Sequence, residues 1–243
     1  MTTTIAHRGF AGVNPENTVG AVRAASAAGA DRVEIDIVAC TDGTPVVFHD
    51  AHLDDDGESR GVTDGSGAVR DLSPETVTAA NVYGRDERVP TLARLCEATA
   101  APLDVELKRP GEPVRPGPRP PAEREAARER WQPFVDRVCD TLGDRNVRFS
   151  SFCEGALAAV RARDADAALA PLCRRLDVGR ELADRYDATA IHASLAAVRG
   201  GVDIDRTCNV WTIRTWREAR DAVAAGADGL IADYPGLQQW LGA

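Results

Sequence analysis

Lysine is almost absent from this chain of 243 residues, because Lys108 is the only lysine among its 29 basic side chains. The basic residues are also outnumbered by 38 acidic ones, which gives a formal net charge of −9. Nucleic acids and anionic membrane surfaces both need a basic face, so this balance argues against either of them as the main partner. An anionic small-molecule substrate would need a local positive patch.

Long apolar runs and paired cysteines are missing as well. No apolar run is long enough to span a bilayer, and Met1 is followed by three threonines that leave no room for a secretory signal. The six cysteines are scattered without a CxxC pair, which is typical of buried thiols in a reducing compartment rather than of a disulfide framework. We therefore expect a cytoplasmic protein that has no stable membrane anchor.

Glycine-rich dinucleotide-binding and P-loop signatures are absent after every candidate strand. A strand–helix alternation runs through the whole chain instead. This alternation predicts the α/β class and a closed (β/α)8 barrel, a TIM barrel, formed by a single domain over residues 1–243. Nine candidate strands compete for eight places, and segments 45–49 and 189–193 fit least well. An open doubly wound sheet is the alternative fold.

Two stretches interrupt the alternation. Residues 51–88 are rich in Asp, Gly and Ser, and we expect them to form a small polar excursion after the third strand that buries no core of its own. Residues 109–121 contain six prolines, which predicts an extended loop.

The segment Val33-Glu34-Ile35-Asp36-Ile37 alternates apolar and acidic residues with a period of two. In a strand, this pattern places the two carboxylates on one face and the apolar side chains on the other. Carboxylates held together among residues that favour burial repel each other and lose hydration, so the arrangement favours a bound cation. A surface strand with a polar outer face is the alternative interpretation.

Two further segments are expected to place polar side chains beside the acidic strand. An Asp42-Gly43 turn leads from the acidic strand into a segment that ends in His49. If the turn closes a hairpin on Thr41 and Thr44, Asp36 faces His49, and a parallel crossover would also bring them together. The later segment 103–108 repeats the alternation and places Glu106 and Lys108 on one face.

In a parallel barrel the strand ends open at one mouth, where the loops build the site. Three carboxylates there (Glu34, Asp36 and Glu106) select a hard cation such as Mg²⁺ or Ca²⁺. Two histidines, His7 and His49, can supply a base and an acid. Arg8 and Lys108 can neutralise phosphate oxygens. This combination is typical of phosphodiester hydrolysis. The retention of one lysine in a chain that otherwise uses arginine indicates that a compact ammonium is required at position 108.

An ordered set of short motifs extends from the first strand almost to the C-terminus. The set is His7-Arg8-Gly9, Pro15-Glu16-Asn17-Thr18, Glu34-Ile35-Asp36, Thr41-Asp42-Gly43, Val46-Val47-Phe48-His49-Asp50, Val89-Pro90-Thr91-Leu92, Glu106-Leu107-Lys108, Ser150-Ser151-Phe152, Val210-Trp211-Thr212 and Asp233-Tyr234-Pro235. Each motif is weak alone, but the ordered set resembles the glycerophosphodiester phosphodiesterase family.

The resemblance implies a TIM barrel of the phospholipase C-like phosphodiesterase type. It also implies an enzyme of lipid and glycerol metabolism that hydrolyses small-molecule glycerophosphodiesters to sn-glycerol 3-phosphate and an alcohol. It implies the following roles: His7 and His49 for acid–base catalysis, Glu34, Asp36 and Glu106 for the metal, and Arg8, Lys108, Trp211 and Phe152 for the substrate.

Some features depart from the family pattern, and they leave alternatives open. Ala232 stands where Thr is usual, and Arg214 stands where Asn is common. These departures bear on the leaving group. A lysophospholipase D-type or cyclic-phosphate-forming phosphodiesterase is the first alternative, and a non-catalytic phosphate- or metal-binding barrel is the second. A homo-oligomer also stays open. Trp216 and Trp240 carry no motif and are expected to pack.

Overall fold

Eight parallel strands close into a barrel in the computed structural model, which describes residues 2–57 and 59–240. The ninth strand, β3, pairs antiparallel with β2 outside this ring. The ring closes because β1 pairs with both β9 and β2. The predicted TIM barrel is therefore confirmed, and segment 189–193 supplies a barrel strand despite its weak pattern. The strands are β1 Thr3–Ala6, β2 Arg32–Ala39, β3 Pro45–Val47, β4 Leu103–Arg109, β5 Val147–Ser151, β6 Ala168–Cys173, β7 Ala190–Ser194, β8 Thr207–Ile213 and β9 Gly229–Ala232.

Helices cover the outside of the ring and follow most of its strands. They are α1 Val19–Ala27, α2 Pro74–Ala79, α3 Leu92–Ala98, α4 Arg124–Leu142, α5 Glu154–Arg163, α6 Leu176–Arg185 and α7 Trp216–Ala224. Side-chain caps fix several starts: Thr18 accepts a hydrogen bond from the amide of Ala21 at α1, and Thr215 forms a capping box with Glu218 at α7. None of the described helices combines the length and apolar character needed to cross a bilayer.

The core lies between the barrel and the helices. Val33, Ile35 and Ile37 on β2 are fully buried in this layer. Burying each such side chain stabilises the fold by about 1.5–3 kcal/mol. Because strand side chains alternate, the same register turns Glu34 and Asp36 into the barrel. Burial of the apolar face of β2 therefore determines the direction in which Glu34 and Asp36 point.

The β2–β3 hairpin has a different register from the expected one. Val47 pairs with Ile37 and Pro45 pairs with Ala39, one residue away from the prediction. The turn is closed by the amide of Cys40 and the carbonyl of Thr44, and Gly43 adopts φ +82°. A three-residue loop with glycine in the left-handed region explains the shift. The amide of Phe48 still binds the carbonyl of Asp36, so His49 emerges beside the acidic strand.

The excursion over residues 51–88 buries more apolar surface than its composition predicts. Its residues Leu53, Val62 and Val69 pack against Val38 and Phe48 of the hairpin to form a second apolar cluster. The excursion supplies only part of this cluster, because β2, β3 and the residues beside them supply the rest. The cluster anchors the excursion beside the mouth of the barrel.

A buried polar cluster fills the barrel nearer the N-terminal ends of the strands. Asp104 accepts a hydrogen bond from Arg32 at 2.5 Å and lies 3.6 Å from both Arg148 and His192. Burial lowers the pKa of His192 to about 4, so this histidine is neutral at physiological pH. His192 therefore contributes an uncharged side chain to this buried polar cluster.

The two tryptophans that were expected to pack have different outcomes. The side chain of Trp240 lies outside the described residues. Trp216 is 51% exposed, and the guanidinium of Arg220 covers its ring. The packing expected for Trp216 is therefore only partial.

Candidate active site

One cavity of about 600 Å³ at the mouth of the barrel collects the residues that the sequence singles out. Of the nine candidate residues, these line it: His7, Arg8, Glu34, His49, Glu106, Lys108, Phe152 and Trp211. The ninth, Asp36, is fully buried and does not line the cavity. Its carboxylate lies 3.1 Å from Arg8 and 3.6 Å from Lys108, which do line it. We call this space the catalytic cavity.

Glu34, Asp36 and Glu106 form an acidic cluster in the wall of this cavity. Each offers a carboxylate oxygen, and these oxygens lie within 4.8 Å of one another. Asp36 and Glu106 are direct partners in the β2–β4 ladder, which explains their proximity. Burial and the charges of Asp36 and Glu106 raise the pKa of Glu34 well above its ordinary value. The cluster therefore resists full ionisation unless a positive charge is supplied.

Cationic side chains compensate part of this charge. Burial alone would raise the pKa of Asp36, but the charges of Arg8, His49 and Lys108 outweigh it and hold this pKa well below its usual range. Arg8 Nε lies 3.1 Å from Asp36, and Lys108 Nζ lies 3.6 Å from Asp36 and 3.3 Å from Glu106. Asp36 Oδ1 nevertheless has no hydrogen-bond partner among the described residues. An orphaned buried carboxylate oxygen within an acidic cluster fits a hard divalent cation.

The loop after β1 wraps tightly around this cluster. Arg8 and Asn17 both adopt left-handed backbone angles, with φ of 52° and 59°. Such angles cost a non-glycine residue about 1–2 kcal/mol, and they persist because other contacts hold them. The amide of Arg8 donates to Glu34 at 3.0 Å, and the Asn17 amide group donates to Asp36 at 2.9 Å. These hydrogen bonds hold the loop in its strained conformation, which places Arg8 beside Glu34 and Asp36.

Gly9 explains the third position of the His-Arg-Gly motif. Its φ is +79°, and a Cβ atom there would lie only 2.7 Å from the Cβ of Ala21. A larger residue would therefore push the loop away from helix α1. Glycine at this position lets His7 and Arg8 turn into the cavity.

His7 is held by a carboxylate from the neighbouring strand end, since Asp233 follows β9 and His7 follows the paired β1. Its Nδ1 lies 2.6 Å from Asp233 Oδ1, and Arg214 donates to Asp233 Oδ2 at 2.9 Å. Burial lowers the pKa of His7, although the hydrogen bond to Asp233 opposes this effect. The imidazole is therefore held largely neutral, with Nε2 as the nitrogen that Asp233 leaves free.

His49 has a matching arrangement. Its Nδ1 lies 2.5 Å from Asp50 Oδ1, and Arg60 of the excursion donates to Asp50 through Nε at 3.1 Å. Burial would raise the pKa of Asp50, but the hydrogen bonds from His49 and Arg60 hold this pKa far below its usual range. A carboxylate that stays ionised fixes the tautomer and ring orientation of the histidine.

Glu16 joins the two sides of the site. It accepts bidentate hydrogen bonds from Arg60 at 2.7 and 2.9 Å, one from Arg8 at 2.9 Å and one from Tyr83 at 3.1 Å. Burial opposes its charge, but these arginines lower the pKa of Glu16 overall. The excursion thereby ties His49 to the loop that carries Arg8.

An aromatic wall completes the cavity. The rings of Phe152 and Trp211 meet edge to face with centroids 5.5 Å apart. The guanidinium of Arg174 lies 5.7 Å from the first centroid and 5.3 Å from the second. Such contacts within about 6 Å are attractive and restrict the arginine. Trp211 Nε1 donates to the carbonyl of His192, which fixes the indole.

The residues that the sequence does not single out are mostly arginines and their partners. Asp50 follows His49 directly in the sequence, and its carboxylate holds the ring of that histidine. Asp233 belongs to the motif Asp233-Tyr234-Pro235, but nothing in the sequence indicates that it contacts His7. Arg60, Tyr83 and Arg174 carry no motif, and they reach the site from distant parts of the chain.

Comparison with known proteins gives one family. The model of the "Glycerophosphoryl diester phosphodiesterase family" matches residues 7–237. The Bacillus subtilis protein YhdW is 27% identical to this chain over 242 residues, with 95% of this chain and 94% of YhdW aligned. Glycerophosphodiester phosphodiesterase 1 of Rattus norvegicus is 43% identical over 96 residues, a match that covers 36% of this chain and 27% of the rat protein.

The fold has a solved counterpart. A phosphodiesterase of Oleispira antarctica, whose structure was determined in complex with the product sn-glycerol-3-phosphate, superposes with a TM-score of 0.78. The two chains are 25% identical, and the match covers 98% of this chain and 95% of the other.

Proposed function

Since the chain belongs to the glycerophosphoryl diester phosphodiesterase family and is an enzyme of that class, we propose that it hydrolyses small-molecule glycerophosphodiesters to sn-glycerol 3-phosphate and an alcohol. The observation that carries the proposal is the meeting of two carboxylate-held imidazoles and three carboxylates around one cavity. Acid–base groups beside a cation site are the requirements for phosphodiester hydrolysis at neutral pH.

Glu34, Asp36 and Glu106 are the residues that would hold a divalent cation. Their oxygen-only donor set favours Mg²⁺ or Ca²⁺ over zinc, which prefers nitrogen and sulfur. When bound, such a cation supplies Lewis-acid stabilisation of charge on the phosphate oxygens. It would also remove the repulsion that raises the pKa of Glu34.

Arg8 and Lys108 bind and orient the phosphate. Asp36 and Glu16 raise the pKa of Arg8 despite its burial, so the guanidinium stays charged. Lys108 adds a compact ammonium on the other side of Asp36, 3.6 Å from its Oδ1. Donors fixed before the substrate arrives stabilise developing charge without reorganising during the reaction.

The two histidines take opposite roles in this proposal. His7, with its lowered pKa, is the neutral base that removes the proton from the attacking hydroxyl. His49 lines both the catalytic cavity and a neighbouring one, so it is the acid that protonates the departing alcohol. The attacking hydroxyl belongs to water or to the glycerol of the substrate, and the second case proceeds through a cyclic phosphate.

The test is a coupled assay for sn-glycerol 3-phosphate with glycerophosphocholine as substrate. We expect release that requires Mg²⁺ or Ca²⁺ and that stops when a chelator is added. Lysophosphatidylcholine in parallel, with choline release as the readout, tests the lysophospholipase D-type alternative. Product release that is unaffected by chelation would contradict the role of the acidic cluster, and no release from either substrate would favour a non-catalytic barrel.

Replacing Asp233 with asparagine should shift the pH dependence of the reaction. The carboxylate raises the pKa of His7 through a 2.6 Å hydrogen bond, so its loss should lower that pKa further. A base works only when neutral, and the acid limb of kcat/KM should therefore move to lower pH. The maximal rate should also fall by about 10²–10⁴, because the imidazole loses its orientation and tautomer.

The control is Asp205→Asn, since Asp205 pairs with Arg206 and its side chain is 87% exposed. We expect this variant to keep the wild-type profile. An acid limb that stays in place or moves to higher pH in Asp233→Asn would contradict the assignment of His7 as base.

A further inference from the structure

A second cavity, of about 840 Å³, opens beside the catalytic cavity. The two spaces share His49, Glu106, Lys108, Phe152, Leu172 and Arg174, so they are continuous at the reacting groups. Trp211 and His7 line only the catalytic cavity. We call the second space the side cavity. Its size falls in the range of small-molecule binding sites, which is about 300–1,000 Å³.

The side cavity has a preformed wall. The Pro-rich loop after β4 lines it through Pro113, Pro116 and Pro118, and the excursion lines it through Ala68 and Val69. Proline restricts the backbone before any ligand binds, which lowers the entropic cost of binding. The wall provides apolar surface for the body of a small organic group.

Five Arg and Lys side chains line this cavity against three carboxylates, Asp50, Glu106 and Glu112. Each of these carboxylates has a basic partner of its own, respectively Arg60, Lys108 and Arg130. Arg70 pairs with Asp71, and Arg175 pairs with Asp177. Arg109 and Arg174 also line the cavity, and neither has a carboxylate partner among the described residues. Arg109 donates one bond to the carbonyl of His49, at 2.8 Å. In a chain of net charge −9, two uncompensated guanidinium groups at one cavity indicate an anionic ligand.

The position of the side cavity identifies which part of the substrate it receives. A phosphodiester has two arms, and our proposed function places its phosphate between the cations beside the acidic cluster. We assign the glycerol arm to the catalytic cavity, because that cavity is lined by the proposed base His7 and by Trp211, neither of which lines the side cavity. The other arm, which leaves as the alcohol, then extends past His49 into the side cavity. Arg174 stands where the two spaces meet, held against the rings of Phe152 and Trp211.

We propose that the side cavity binds the leaving alcohol and selects head groups that carry an anionic group, a carboxylate or a phosphate, through Arg174 and Arg109. This inference rests on the proposed function and adds the chemical class of the alcohol to it. Charge-assisted hydrogen bonds from guanidinium to carboxylate or phosphate are short and directional, and Arg suits either anion.

The test uses two matched pairs of substrates in the sn-glycerol 3-phosphate assay with the metal present. Glycerophosphoserine differs from glycerophosphoethanolamine by one carboxylate. Glycerophosphoglycerol phosphate differs from glycerophosphoglycerol by one phosphate, and its signal is divided by the two glycerol phosphate molecules released per turnover before the two rates are compared. We expect kcat/KM to favour the anionic member of at least one pair by about tenfold, as for one charged hydrogen bond. The pair with the larger ratio identifies the anion.

Two variants assign this preference to a residue. In Arg174→Gln the ratio should fall severalfold, because one of the two uncompensated charges is lost. Arg220→Gln is the matched control, since its guanidinium also covers an aromatic ring, that of Trp216 at 5.4 Å, but lines neither cavity. This control should keep the wild-type ratio.

The possible outcomes distinguish a failure of this inference from a failure of the proposed function. Equal rates within both pairs would overturn the selection of anionic alcohols and leave the proposed function standing. A preference that survives in Arg174→Gln would overturn the assignment to this arginine. Release of no product from any of the four esters would overturn the proposed function and this inference together.

Discussion

Replacing His49 with alanine should lower kcat for glycerophosphocholine by about 10²–10⁴, the usual contribution of a positioned acid or base. The reason is the place of His49 between the two cavities, with Asp50 holding its Nδ1 at 2.5 Å so that Nε2 is free for the departing oxygen. The rate is measured as sn-glycerol 3-phosphate release at saturating metal and substrate.

The same variant can distinguish an acid from a base. A substrate that leaves as p-nitrophenolate needs little protonation, so His49→Ala should lose far less activity on a p-nitrophenyl ester than on glycerophosphocholine. His7→Ala should lose activity on both, because base removal affects every leaving group. The opposite pattern in these two variants would reverse our assignment of roles.

Two controls accompany this experiment. Asp205→Asn changes an exposed side chain that lines neither cavity, and it should behave as wild type. Metal-induced thermal stabilisation should persist in His49→Ala, because the acidic cluster is unchanged. Wild-type turnover in His49→Ala would refute its role in catalysis.

Replacing Glu106 with glutamine should weaken divalent-cation binding by about 10²-fold and lower activity accordingly at subsaturating metal. Glu106 lies in the acidic cluster opposite Asp36 in the β2–β4 ladder, and its side chain is 12% exposed. Glutamine has nearly the same shape, so the loss should reflect the charge.

Without metal, the Glu106→Gln substitution should not lower the free energy of unfolding. Glu106 raises the pKa of Glu34, which shows that the buried charges repel each other. The metal-free variant should therefore be at least as stable as the metal-free wild type. Metal at 100 times its Kd stabilises a native protein by about 2.7 kcal/mol. For a chain of this size that is about 5–10 °C in Tm. Glu106→Gln should lose most of this increment at the same metal concentration.

Thermal unfolding with and without Mg²⁺ or Ca²⁺ measures both effects. The control is Glu97→Gln on helix α3, whose side chain is 69% exposed and pairs with Arg94. It should keep the full metal-dependent increment. An undiminished increment in Glu106→Gln would exclude this carboxylate as a ligand.

Hydrophobic periodicity is sufficient to predict the barrel and most of the proposed metal site. Alternation on β2 and β4 determines which side chains face inward, and parallel pairing then brings Asp36 opposite Glu106 without any further information. The hairpin was less accessible, because a three-residue turn with Gly43 in the left-handed region shifts the register by one. His49 still lies near the acidic strand despite this shift, because its position depends on where β3 ends and not on the exact register.

The supporting contacts could not be predicted in the same way. Arg60 binds Glu16 across 44 residues of sequence, and Tyr83 binds it across 67. No local pattern marks such partners, because the chain carries many arginines and their pairing depends on how the excursion packs. Its apolar cluster combines residues from the excursion and the hairpin, so composition of residues 51–88 alone underestimates the burial.

Lys108 is the only lysine in the protein, and its ammonium lies in the catalytic cavity 3.3 Å from Glu106. Growth on isotope-labelled lysine would consequently place a single labelled side chain in the molecule. One magnetic resonance signal would then follow cation and phosphate binding directly, without assignment of the remaining residues.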